Sequence, residues 1–312
     1  MSITDVKTRS NYNEAFTLLN ENTPEQRLDV QLPYDKYPSL AYNSFTETVT
    51  VLTCPSSIHE GSARWIDQEI FRYVMDYLST RSPHTQRHIL QCGATTQSFG
   101  LGQYTRSRKE PDGGFLYLTK LATSEMMIAI EVGTSETYGK LLDDKDMWIN
   151  GMGVNVVILV CFTESPRFRN PDARYSNIAE VRAEKMAMGQ SLVETVETNI
   201  ALGYYGPLEY RDHKWVGELS EAFIEVWRPN SHDRLFQDLI HDGFELAHEL
   251  LPDALNLKIS DFYPHDEWQT ANIEDNIMPF DSRTFLNSVM DRMKVVAQNR
   301  LELYLHEKLK LR

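Results

Sequence analysis

One stretch narrows the possible folds more than any other. Met126-Met-Ile-Ala-Ile-Glu-Val-Gly133 reads as a buried strand whose apolar run is broken only by Glu131, and Ser135 to Asn150 reads as the helix after it. At roughly 100° per residue with Leu141 at zero, Trp148 falls near about −20°, Tyr138 near about 60°, Ile149 near about 80° and Leu142 near about 100°. Lys145 falls near about 40°, inside that apolar stripe. A lysine aimed at a core is costly to desolvate unless it meets an anion. Glu131 and Asp112 are the acids expected to meet it.

Asp112 stands in the turn signal Pro111-Asp-Gly-Gly114, and the apolar run Phe115-Leu-Tyr-Leu118 follows at once. If this strand and the Glu131 strand form a hairpin turning around Ala122 to Glu125, the start of one lies beside the end of the other. Two carboxylates then share one end of a sheet. Such oxygen donors suit Mg²⁺ or Mn²⁺, which hold a few protein ligands and keep several waters. A lysine beside them could polarise a phosphate or position an attacking water.

This constellation resembles the PD-(D/E)XK nuclease superfamily over residues 55 to 165. Pro111-Asp112 and Glu131 match its two acidic positions, but Gly133 stands where the lysine usually follows the glutamate. Glu131-Val132-Gly133-Thr134, then Lys145, then Gly153-Val154 before Val156-Val-Ile-Leu-Val160 is similar to the branch in which the lysine has migrated to the next helix. The resemblance implies an α/β fold, a restriction-endonuclease-like mixed sheet flanked by helices, and metal-dependent hydrolysis of phosphodiesters, with DNA as the favoured substrate. Asp112, Glu131 and the carbonyl of Val132 would hold Mg²⁺ or Mn²⁺, and Lys145 would stabilise phosphate charge. A further acid is expected from a helix over 61 to 79, whose face carries Ala63, Ile66, Ile70, Val74, Tyr77 and Leu78. Glu60, at the helix start, is the first choice and Glu69 the second.

The 312 residues carry a net charge of −14, which repels a polyanion as a whole. A nucleic-acid partner therefore needs local cations, and two clusters could border the site: Arg106, Arg108 and Lys109, and Arg167, Arg169 and Arg174. Three widely spaced cysteines, with no membrane-length apolar run and no leader pattern, imply an intracellular protein, in cytoplasm or nucleus. No membrane partner is expected.

Residues 1–54 read as an appended arm with a helix-like Asn13 to Leu19 and an alternating Phe45 to Val51. Residues 55–170 read as the nuclease-like core. Residues 171–312 read as a C-terminal extension of extra strands and helices packed on or beside it: a helix from Ile178 to Gln190, strand over Val193 to Ala201, strands within Tyr204 to Arg228, an amphipathic helix over 233 to 251 and a last helix from Ser282 to Leu309. Glu225, in Phe223-Ile-Glu-Val-Trp227, reads as an outward residue of a half-buried sheet. The acidic charge, the missing in-line lysine and this long extension also fit a second reading: a catalytically silent nuclease-like fold that binds a protein partner or a second copy of itself.

Overall fold

The computed structural model describes residues 39–52, 56–93, 95–134, 137–170, 178–229, 234–246 and 255–310. It is a mixed α/β fold built on a seven-stranded sheet. Its strands are β3 (Ile89–Gln91), β6 (Gly113–Leu118), β7 (Ser124–Gly133), β8 (Val156–Ser165), β11 (Glu218–Trp227), β12 (Leu235–His241) and β13 (Phe244–Glu245), in the spatial order β13-β12-β11-β8-β7-β6-β3. β7 and β8 are parallel and every other neighbouring pair is antiparallel. Strands from before and after residue 170 thus share one sheet.

Strand alternation sorts the side chains onto two faces. Ile128, Ile130 and Val132 of β7, with Ile158, Val160, Ile224 and Val226, point to one side, where α1 (Ser57–Arg81) and α5 (Ser282–Lys310) cover them. Ala129, Val157 and Leu159 point to the other, under α2 (Tyr138–Asp146) and the π-helical turn Met147–Met152 that continues it. Glu131 belongs to this second face. α3 (Ile178–Leu202) packs on α5.

A four-stranded sheet in the order β2-β1-β5-β4 lies apart from the large one. It joins β1 (Ser39–Asn43) and β2 (Thr48–Leu52) from the N-terminal arm to β4 (Gln97–Ser98) and β5 (Arg108–Lys109). The arm therefore contributes a hairpin; Asn13 to Leu19 lies outside the described residues. A third pairing joins β9 (Leu208–Tyr210) and β10 (His213–Val216).

Three expectations are corrected. Val193 to Ala201 is the second half of α3: Met188, Leu192 and Val196 are buried at a spacing of four, and packing on α5 overrides the β preference of the branched residues. Residues 235–245 are a hairpin, because Asp242 and Gly243 both take positive φ, 49° and 80°, in a two-residue turn between His241 and Phe244. Glu225 is fully buried rather than outward-facing.

Among the described residues no helix is long and apolar enough to cross a membrane.

Candidate functional site

The β6–β7 hairpin brings Asp112 beside the end of β7. Gly113 pairs with Ile130, the Asp112 N–H donates to the Ile130 carbonyl at 3.1 Å, and the Val132 N–H donates to Asp112 Oδ2 at 2.8 Å. Gly114 makes the close approach possible. At φ 153° a Cβ there would stand 2.3 Å from the Ile128 carbonyl oxygen, so a side chain would push the strands apart just where the acids converge.

Glu131 is 3% exposed and both of its oxygens are engaged. Oε1 accepts from the indole Nε1 of Trp148 at 2.5 Å, and Oε2 lies 3.0 Å from Lys109 Nζ. The π-helical turn places the indole over the carboxylate, an irregularity often found where a helix serves a site. Lys109 comes from β5, where Gln97 is its neighbour on β4. Its Nζ also lies 2.7 Å from Asp144 Oδ2, so one buried ammonium bridges an acid of β7 and an acid of α2.

The contribution of α1 is His59. Ser56 caps the helix by accepting from the His59 N–H at 3.2 Å, and its hydroxyl lies 3.3 Å from that of Thr134 just past β7. The helix start is thereby held against the strand end, and His59 Nε2 lies 3.1 Å from Asp112 Oδ2.

The expected residues are distributed unevenly around this centre. Asp112, Glu131 and Val132 stand together. Glu60 is exposed and Glu69 pairs with Arg72, one helical turn on; neither contacts the cluster among the described contacts. The expectation that Lys145 meets Glu131 or Asp112 is corrected: its Nζ lies 2.6 Å from Asp146 Oδ1 and 4.4 Å from the ring centroid of Trp227. The apolar stripe of α2 does pack inward, as Leu141 and Trp148 show, but at Lys145 it faces β11 rather than the end of β7. Gly133 explains why no lysine follows Glu131 in line. A Cβ there would lie 2.7 Å from Leu141 Cδ1, so α2 packs directly on the position. Of the basic clusters, Lys109 alone turns inward, while Arg106, Arg108, Arg167 and Arg169 are exposed and Arg174 lies outside the described residues.

Lys109, Asp144, Trp148 and His59 are the members the helical wheel did not assign. Two of them carried a sequence signal: Lys109, in a basic cluster three residues before Asp112, and Trp148, on the inward stripe of the helix after β7.

The electrostatics are unbalanced. Burial raises the Glu131 pKa well above the ordinary carboxylate range, with Asp112 and Asp144 adding to the shift against the opposing pull of Lys109 and the Trp148 N–H. Burial would also raise Asp112, but His59, Lys109 and the Val132 N–H together hold it below its ordinary value. Burial alone would lower the Lys109 pKa; Asp144, Glu131 and Asp112 outweigh it and raise the pKa above its ordinary value. Three carboxylates, Asp144, Glu131 and Asp112, thus act on the single ammonium of Lys109, a set of donors able to take up positive charge.

Hard oxygen donors of this kind fit a Mg²⁺-type ion held by one or two carboxylates, with water and phosphate completing its shell. They do not form an all-protein cage: among the described residues no group of three or more His, Cys, Asp or Glu is placed to hold a metal ion. A depression of about 340 Å³ at the opposite end of β8, lined by Asn155, Arg228 and Trp268 among others, is a poorer candidate. Its arginine is committed to Asp261 and the Asn256 carbonyl.

In comparisons with protein-family models, curated proteins and solved structures, the chain matches none.

Proposed function

We propose that the chain hydrolyses phosphodiesters with a divalent cation at the Asp112–Glu131 end of the sheet, on a restriction-endonuclease-like core, and that DNA is the favoured substrate. The observation that carries this reading is Lys109 Nζ, 3.0 Å from a glutamate whose strand end is hydrogen-bonded to Asp112. Lys109 takes the part that sequence alone assigned to Lys145. It neutralises Glu131 in the resting state and is placed to stabilise charge developing on a phosphate oxygen. Asp112 and Glu131 would hold the ion, which when bound would polarise the phosphate and lower the pKa of its water. His59, whose Nε2 lies against Asp112 Oδ2, would donate to that carboxylate and hold it in position.

The supporting features are the two acids at one sheet end, the parallel β7–α2–β8 unit behind them and the surplus negative charge. The test is cleavage of labelled single- and double-stranded DNA with Mg²⁺ or Mn²⁺. Glu131→Gln and Asp112→Asn should each lower the rate by at least about 100-fold, the order of a lost electrostatic contact to the transition state. Rates within a few-fold of the parent would remove both residues from the chemistry.

One observation favours the silent, protein-binding reading. The same ammonium closes on both Glu131 and Asp144, filling the space between them without metal. Calorimetric titration with Mn²⁺ separates the two readings, because the silent fold should show no binding that Glu131→Gln abolishes.

A further inference from the structure

Helix α3 uses one side for the fold and leaves the other to solvent. Met188, Leu192 and Val196 are buried, a Cβ on Gly189 would meet Gln298 of α5, and Lys185 pairs with Glu302 of the same helix. The outward side is not uniformly polar. Met186 is 69% exposed and Val193 40%, with Ala183, Ala187 and Gln190 exposed around them. At 100° per residue with Met186 at zero, Arg182 falls at about −40°, Val193 at about −20°, Glu197 at about 20° and Gln190 at about 40°. These five residues share one stripe.

The order of residues along the stripe is self-complementary. An antiparallel second copy, related by a two-fold axis passing between Gly189 and Gln190, sets Arg182 opposite Glu197 of that copy and Met186 opposite its Val193, and by symmetry the reverse. Opposite charges then meet at both ends and apolar side chains between them. Gln190, beside the axis, carries both donors and an acceptor and can bond its own counterpart. The small Ala183 and Ala187 let the two helices approach. Sliding one copy by a helical turn would set Met186 against Glu197 and Arg182 against Ala201, so the charges select one register. Arg182 and Glu197 are exposed, and neither is engaged by another side chain among the described residues.

We infer that the chain forms a two-fold dimer through α3, a second copy of itself being the occupant of this face. The inference is independent of the phosphodiesterase reading. α3 packs on α5, which covers the sheet face opposite that of Glu131, so the pairing leaves the Asp112–Glu131 end of each copy uncovered. From Arg182 to Glu197 the stripe is about 22 Å long. One helix pair of that length stands at the low end of specific interfaces, which corresponds to a Kd of about micromolar order. The net charge of −14 on each copy opposes association. At physiological salt that repulsion is screened beyond about 8 Å, whereas the paired side chains meet within this distance.

Sedimentation velocity of the full chain at physiological salt, from about 1 to about 100 μM, tests the dimer. The sedimentation coefficient should rise with concentration. Arg182→Glu and Glu197→Arg each set like charges against one another at two places and should weaken the dimer by about tenfold or more. Combining Arg182→Glu with Glu197→Arg restores the pairs and should return the affinity to within about threefold of the parent. Glu197→Arg lowers the net negative charge yet should still weaken pairing, which separates local contacts from overall repulsion. Met186→Asp should weaken it as well. All three positions are exposed, so the variants should keep the parent's urea midpoint, and loss of pairing is then not loss of fold. A chain that stays monomeric up to about 100 μM, a dimer that none of these changes weakens, or a double variant no tighter than the single ones would overturn the inference.

Discussion

Glu131 and Glu225 stand in the same cross-strand row, on the same face of one sheet, and both are buried. They are countered in opposite ways. Glu131 faces a lysine whose side chain is only 7% exposed, with two more carboxylates close by, whereas Glu225 faces an arginine whose side chain is 44% exposed, with a phenol and an indole as neutral donors. The first arrangement traps both charges away from water and leaves negative charge unbalanced. The second keeps its cation at the surface and satisfies its acid locally. Burial of an acid alone therefore does not mark a reactive centre; the surplus around Glu131 does, because it is the surplus that can bind a cation or hold a proton.

The largest expected effect comes from removing the buried ammonium. Lys109→Met leaves Glu131 and Asp144 without their shared cation and should cost about 3–5 kcal/mol, read from urea unfolding at neutral pH. Adding Mn²⁺ should return part of that loss, since the exposed need is for positive charge. A cost below about 1 kcal/mol would place Glu131 in the same class as Glu225.

Asp67 supplies the limiting case, a carboxylate on the sheet's other side with no cation among its described partners. It accepts from the Gly114 N–H at 3.2 Å and from Gln91 Nε2 at 2.6 Å, yet burial pushes its pKa from an ordinary 3.8 up to about 6, against those two donors. An acid whose folded pKa is raised costs nothing below its unfolded pKa. Between about pH 4 and 6 the native state keeps a proton that the unfolded chain releases, so stability falls as pH rises, and the penalty stays constant above. At about 1.4 kcal/mol per unit the penalty is at most about 3 kcal/mol. Asp67→Asn should therefore raise the urea midpoint at pH 7 and leave it nearly unchanged at pH 4. Equal shifts at both pH values would show that burial does not govern this acid.

The hairpin that joins Asp112 to Glu131 was readable because its determinants are local: a Pro-Asp-Gly-Gly turn, two apolar runs and a reversal of a few residues. Helices α1 and α5 were readable from their spacing. Lys109 was not, because its place depends on a strand of two residues held by Tyr42 and Gln97, the first of them 66 positions away from Arg108 in the chain. The wheel for α2 fixed the direction of Lys145 around the helix axis. It could not say which strand that direction would meet, and the packing of Leu141 on Gly133 sends it to Trp227 instead of Glu131. The 235–245 hairpin was missed for a different reason: apolar residues in adjacent pairs mimic a helical stripe, and only the Asp242-Gly243 turn reveals the reversal.

Arg234→Met makes the matching deletion on the other side of the comparison, and it should cost less than Lys109→Met. Glu225 is wholly buried, so losing its cation carries a desolvation penalty, but the Tyr138 hydroxyl and Trp227 indole remain as donors. Arg234 is also nearly half exposed, and water already screens the pair. A loss of about 1–2 kcal/mol in urea unfolding is expected, with no recovery on adding Mn²⁺, because among its described partners Glu225 has no second carboxylate of the kind that Asp144 supplies beside Glu131. A loss as large as that of Lys109→Met, rescued equally by metal, would mean that the two glutamates are held alike and that charge surplus does not distinguish the Asp112–Glu131 end.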